Sequence, residues 1–192
     1  MKVILASGSP RRRELLEQVI PEYEIIPATG EEIITSSKPF EVVSELSYQK
    51  AEEIFKRNLI SNMESLIVIG ADTVVSYKEN ILGKPKDRED AKHMIDMLQG
   101  DTHQVYTGVY LRFKGKETLF YDKASVTFVP LSEEEILRYI EQYAPLDKAG
   151  AYGVQDGVVV KRYKGSFDTI MGLPTEKLGI ILEGMGVRDV YE

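Results

Sequence analysis

The stretch Leu66-Ile67-Val68-Ile69-Gly70-Ala71-Asp72-Thr73-Val74-Val75 is an almost unbroken apolar run carrying one carboxylate. Such a run reads as a strand from a sheet buried on both faces. On its N-terminal side, Lys2 to Ala6 forms a second short apolar strand. Ser9 then supplies an N-cap and Pro10 the first helical position of a helix running to about Val19. Between these strands, Val42, Val43, Leu46, Ala51, Ile54, Phe55 and Leu59 recur at three- and four-residue spacings and predict a helix over 39–59. On the C-terminal side, Asp87 caps a helix whose inner face is Ala91, Met94, Ile95 and Leu98, ended by Gly100. Thr102 to Phe113 and Thr118 to Val129 read as long strands joined by a Lys114-Gly115-Lys116 hairpin. Ser132 and Glu135 form a capping box for a helix to about Tyr143; a strand over Val158 to Tyr163 and a helix from Thr175 to about Gly184 follow. Interleaved strands and helices with a hairpin among them give an α/β class with a mixed sheet. No repeat, low-complexity tract or linker divides the chain, so residues 1–192 are expected to form one domain with room for two lobes.

Composition removes several kinds of chemistry. The chain has 192 residues, 43% of them hydrophobic, enough for a sizeable core, yet no run approaches the ~20 apolar residues of a membrane span. At the N-terminus a short apolar run precedes three arginines, the reverse of a secretory signal. The absence of cysteine excludes disulfides, thiolate zinc sites, iron–sulfur clusters and cysteine nucleophiles, and makes a cytoplasmic address the default. With only His93 and His103, a multi-histidine metal site is excluded and a Ser-His-Asp triad disfavoured. His93 falls toward the polar side of its helix and His103 at a strand end, and structural roles are expected for both. A net charge of −7, from 24 basic and 31 acidic residues, argues against duplex binding. Phosphates, if handled, should be few and held in a local basic pocket.

Carboxylates, lysines, arginines and hydroxyls remain to carry chemistry. Arg11, Arg12 and Arg13 occupy the first turn of a helix, where cations cost about 0.3–1 kcal/mol each unless compensated. An anion at the helix start, met by backbone N–H groups and arginines, would compensate; the alternative is solvated arginines on a helix held by Leu15 and Leu16. Asp72 inside an apolar strand must pair, bind a metal or titrate unusually, which suits a metal anchor or a general base. Capping a turn or pairing with a structural lysine would satisfy it equally well. Glu31-Glu32 reads as a solvated pair unless the chain brings Glu32 near Asp72, where the two could share a divalent cation. Lys84 before a proline reads as a surface residue, and Asp147-Lys148 as a local pair. Gly150 and Gly153 would allow close approach of a ligand, with Tyr152 for stacking and the Gln155 amide for reading a base edge.

Eight segments in order resemble the Maf family of nucleoside triphosphate pyrophosphatases: LASGSPRRRELL (5–16), TGEE (29–32), QKA (49–51), GADTVV (70–75), ILGKP (81–85), HQVYTGV (103–109), DKAGAYGVQ (147–155) and MGLP (171–174). The resemblance covers almost the whole chain. It implies a Maf/inosine-triphosphatase-like fold, an elongated mixed sheet flanked by helices with a cleft between two lobes. It also implies hydrolysis of a nucleoside triphosphate between its α and β phosphates, with Mg²⁺ or Mn²⁺ as cofactor. House-cleaning removal of unwanted nucleotides is the expected role, and homodimers are common in such families. By the same resemblance Asp72 is the proton acceptor that activates water and also touches the metal, and Glu32 helps to hold that metal. Ser7, Ser9, Arg12, Lys50, Lys84 and Lys148 bind the triphosphate, with Lys84 also counted as catalytic.

Arg11, Thr73 and Gln155 match the subgroup that prefers dTTP and UTP, whereas the 7-methyl-GTP subgroup has another residue at the first position and Gln after the Asp. One departure is Gln155-Asp156-Gly157, where many relatives have Gln-Gly. The competing readings are a pyrophosphatase for 7-methyl-GTP or another altered base, and a non-catalytic nucleotide-binding regulator of cell division. A small-molecule nucleotide is the expected partner, with neither stable nucleic acid nor membrane.

Overall fold

The structure, a computed structural model, describes residues 1–58 and 66–187. Among these residues, seven strands form one mixed sheet: β1 (Lys2–Leu5), β2 (Glu24–Ile25), β3 (Leu66–Tyr77), β4 (Asn80–Leu82), β5 (Thr102–Phe113), β6 (Lys116–Phe128) and β7 (Val160–Lys164). Their order is β2-β1-β3-β5-β6-β7, with β4 paired to β3. β1 lies parallel to β2 and β3, its Lys2 opposite Leu66 and its Leu5 opposite Ile69, while β4 and β7 run antiparallel to their neighbours. The expected α/β class with a mixed sheet is the observed one. β6 begins two residues before Thr118, because Lys114 (φ 51°) and Gly115 (φ 73°) close the hairpin alone. Two residues at positive φ match the twist of the strands they join. β2 and β4 are too short for any periodicity to announce them.

Among the described residues, six α-helices accompany the sheet: α1 (Pro10–Glu17), α2 (Pro39–Arg57), α3 (Arg88–Leu98), α4 (Glu133–Tyr143), α5 (Phe167–Met171) and α6 (Thr175–Gly184). Ser9, Asp87 and Ser132 cap α1, α3 and α4 as expected, and the Ser132–Glu135 capping box is complete. α2 stops at Arg57, and Leu59 lies outside the described residues. Among the described residues no helix is long and apolar enough to cross a membrane.

The chain forms two compact units. The first comprises 1–72, 107–122 and 172–192. Its core joins Ile4, Ala6 and Val68 of the sheet region to Ala51, Ile54 and Phe55 of α2, with Tyr110 from β5. α2 lies close on the sheet because Gly70 and Gly108 have no side chains. A Cβ at Gly70 would fall 2.2 Å from the Ser47 carbonyl oxygen, and one at Gly108 2.5 Å from that of Val43. Buried Glu52 of α2 accepts from Arg112 at 3.0 Å and from the Tyr110 hydroxyl at 3.3 Å.

The second unit comprises 73–106 and 123–171. α3 turns Ala91, Met94, Ile95 and Leu98 inward and packs against α4, which buries Ile136, Tyr139 and Ile140. His93 is exposed, whereas His103 is buried among Phe128 and Tyr152, its Nε2 2.8 Å from the Tyr152 hydroxyl. Burial lowers the His103 pKa from 6.5 to about 4, with Asp101 acting in the opposite direction. The unfolded chain therefore binds a proton between these values that the folded chain refuses, so the His103 contribution to stability falls as the pH drops through this window. Relative to neutral pH, His103 should remove about 2 kcal/mol of unfolding free energy at about pH 5. Urea unfolding of the wild type and His103→Gln at both pH values checks this: the pH-dependent loss should shrink by that amount in the variant.

Candidate active site

The turn from β1 into α1 supplies the first cluster. The Ser9 side chain accepts from the Arg12 N–H at 3.5 Å, and the Ser9 N–H donates to Ser7 Oγ at 3.2 Å. Arg12 folds back over this turn, its Nη1 donating to Ser7 Oγ at 3.2 Å and its Nε to the Gly172 carbonyl at 2.8 Å. The three arginines thus part company. Arg13 is exposed and pairs with Glu17 at 3.3 Å, the solvated arrangement, while Arg11 and Arg12 are half-buried. Burial holds the Arg12 guanidinium below its ordinary pKa; Asp72 acts against that shift, Arg11 with it, and Glu32 against it. Arg12 therefore stands in the field of both candidate carboxylates.

The second cluster centres on Lys50. With α2 close against β3, the Lys50 ammonium reaches Asp72 Oδ1 and also stands 3.0 Å from Glu32 Oε1. Asp72 is buried, and its side chain satisfies the requirement of the apolar strand by pairing. Glu32 keeps the exposure that its loop position suggests, but Lys50 links it to Asp72. The segment carrying Glu32 and the facing side of α2 line a cavity of about 620 Å³, with Glu32, Tyr48, Gln49, Lys50, Glu53 and Arg57 in its wall.

This donor set fits a hard divalent cation. Two carboxylates already converge on one positive point, and Mg²⁺ is commonly held by one or two carboxylates together with substrate phosphates and waters. No group of three His, Asp or Glu side chains is gathered among the described residues, so phosphate and water would complete the shell.

The remaining expected site residues belong to the second unit. Thr73 is half-buried directly after Asp72, Lys84 is exposed between β4 and α3, and Gln155 is exposed in a short 3₁₀ turn. Lys148 Nζ meets Asp147 at 2.8 Å, the local pair that the sequence allows. Tyr152 is not placed for stacking on a ligand, because it is buried against His103 and Phe128. Gly150 and Gly153 serve the protein's own packing, with Val75 and the Asp156 carboxylate where their Cβ atoms would be. Asp156 accepts from the Tyr139 hydroxyl at 2.5 Å, so the charge beside Gln155 has a fixed partner.

Sequence reasoning missed the α2 side chains Glu45 and Glu53, and took Gln49 only as part of a motif. All three hold the Glu32 segment by hydrogen bonds. Their four-residue spacing on one helical face is a visible signal, but its target is not.

The sequence matches the family described as Maf-like protein over residues 2–185. The chain belongs to the Maf family. It is 48% identical to the dTTP/UTP pyrophosphatase of Agathobacter rectalis, over 97% of this chain and 98% of that relative. It is 44% identical to the dTTP/UTP pyrophosphatase of Bacillus cereus strain B4264, over 92% of each. Among solved structures, the Ham1 protein of Staphylococcus aureus matches 96% of this Maf chain and 100% of its own, with a TM-score of 0.52 at 16% identity. That of Coxiella burnetii matches with a TM-score of 0.51 at 15% identity. These two likenesses concern the fold alone.

Proposed function

We propose that this Maf chain hydrolyses dTTP and UTP to the nucleoside monophosphate and pyrophosphate. The observation that carries the reading is the Lys50 ammonium held jointly by Glu32 and Asp72, in a chain 44–48% identical to proteins named for this activity. Phosphoryl chemistry in a protein without cysteine calls for carboxylates, arginine and lysine around few phosphates, and this cluster has that make-up.

In this reading Ser7, Ser9, Arg12, Lys50, Lys84 and Lys148 bind the triphosphate, and their charges offset that developing on the departing pyrophosphate. Asp72 accepts the proton of the attacking water while that oxygen bonds to phosphorus and the α–β bridge breaks. Glu32 and Asp72 would hold a divalent cation, which would supply further neutralisation of phosphate charge. Lys50 must leave its two carboxylates for such a cation to enter, and the triphosphate offers it a replacement anion. Arg11, Thr73 and Gln155 set the pyrimidine preference, Gln155 through an exposed amide able to donate and accept. A homodimer, a cytoplasmic address and a single domain over residues 1–192 complete the proposal.

The test is product analysis on purified protein with Mg²⁺ or Mn²⁺ across common and modified triphosphates. Pyrophosphate from dTTP and UTP, little from 7-methyl-GTP, and loss of turnover on EDTA addition are expected. Turnover of 7-methyl-GTP alone would keep the mechanism and overturn the specificity. No metal-dependent turnover would favour a binding protein.

A further inference from the structure

The segment Thr29–Thr35, which carries Glu32, belongs to no helix or strand. Side-chain burial does not hold it, since Ile33 is 63% and Ile34 53% exposed. Its backbone is fastened instead by three side chains of α2 at four-residue spacing, Glu45, Gln49 and Glu53, which such spacing puts on one helical face. Glu53 accepts from the N–H groups of Thr29 at 3.0 Å and Gly30 at 2.9 Å. Gln49 accepts from the Ile33 N–H at 2.9 Å and donates to the Ile33 carbonyl at 2.6 Å, the exchange of two bonds that a neighbouring strand would make. Glu45 accepts from the Thr35 N–H at 2.9 Å.

Two extended residues span about 6.6 Å and one helical turn about 5.4 Å, so Ile33 and Thr35 can meet successive turns. Glu31 and Glu32 lie between the anchored Gly30 and Ile33, and Glu32 immediately precedes the residue held at both its N–H and its carbonyl. Gly30 permits the close seat on Glu53, because a Cβ there would lie 2.8 Å from the carboxylate. Lys50, the cation that Glu32 meets, follows Gln49 in the chain. One turn of α2 thus both anchors the loop and presents its counter-charge.

We infer that Gln49 is the positioning residue that sets Glu32 beside Asp72 for cation binding, with Glu45 and Glu53 securing the loop on either side. This rests on the pyrophosphatase reading and adds the residue that preorganises its metal site. Residues that orient metal ligands typically change affinity by about 10–100-fold when removed.

The test compares wild type with Gln49→Leu, which keeps the bulk and the helix but removes both bonds to Ile33. Mn²⁺ affinity is measured by electron paramagnetic resonance in the presence of α,β-methylene dTTP, and exchange of the Ile33 amide by NMR. Gln49→Leu should bind Mn²⁺ about tenfold or more weakly with an unchanged thermal midpoint, and lose Ile33 protection. Gln49→Glu, which keeps the acceptor alone, should fall between the two. Equal Mn²⁺ affinity in wild type and Gln49→Leu would overturn the positioning role and leave the proposed activity standing. A wild type that binds no Mn²⁺ with the nucleotide analogue would overturn the metal reading and this inference with it.

Discussion

Asp72→Asn is expected to reduce hydrolysis of dTTP and UTP by about 10³-fold or more while leaving the protein folded. Asp72 is the one carboxylate of the apolar β3 run, buried and joined to Lys50. Removing a general base typically costs about 10²–10⁴ in rate, and loss of a metal ligand at the same position adds to that. Folding should tolerate the change. Asn keeps the shape and an acceptor oxygen for the Lys50 ammonium, which retains Glu32 at 3.0 Å. Pyrophosphate release under saturating metal, together with circular dichroism melts, measures both effects. A folded Asp72→Asn protein with substantial turnover would sink the assignment of Asp72 as the base.

Lys50→Gln should separate two properties that are tied together in the wild type. Turnover should fall by about 10²-fold, the usual effect of losing one preorganised electrostatic stabiliser of developing charge. Mn²⁺ binding without nucleotide should move in the opposite direction and tighten by about tenfold or more, because Glu32 and Asp72 then face each other without their resident cation. In the wild type a divalent ion must displace that ammonium, so metal should bind well only when a triphosphate draws Lys50 away. Titrations of Mn²⁺ into both proteins, with and without the α,β-methylene analogue, read the coupling directly. Identical nucleotide-free affinities would show that Lys50 does not compete for the carboxylates.

The fate of the three arginines shows how far local reasoning reaches. Three cations in one first helical turn is a local anomaly, and the sequence leaves open whether an anion or the solvent answers it. The structure divides them: Arg13 turns to Glu17 along its own helix, whereas Arg12 is fixed by a carbonyl 160 positions away, at Gly172. Spacing cannot choose between such partners. The Asp156 departure has the same character, since its tie to Tyr139 comes from α4 and not from the turn that carries it.

Features that depend on neighbouring residues are legible in the chain alone. Caps at Ser9, Asp87 and Ser132, the inner faces of α3 and α4, the Lys114-Gly115 hairpin and the buried β3 run follow from periodicity and turn chemistry. The same run made Asp72 conspicuous, because a carboxylate among aliphatic side chains needs a partner wherever the strand ends up. Which residue becomes that partner depends on how α2 packs. Lys50 lies 22 residues before Asp72, and they meet because Gly70 and Gly108 let α2 settle against the sheet at van der Waals distance. That same approach brings Gln49 to Ile33 and Glu32 to Lys50, contacts between segments 16 or more residues apart that no local pattern encodes.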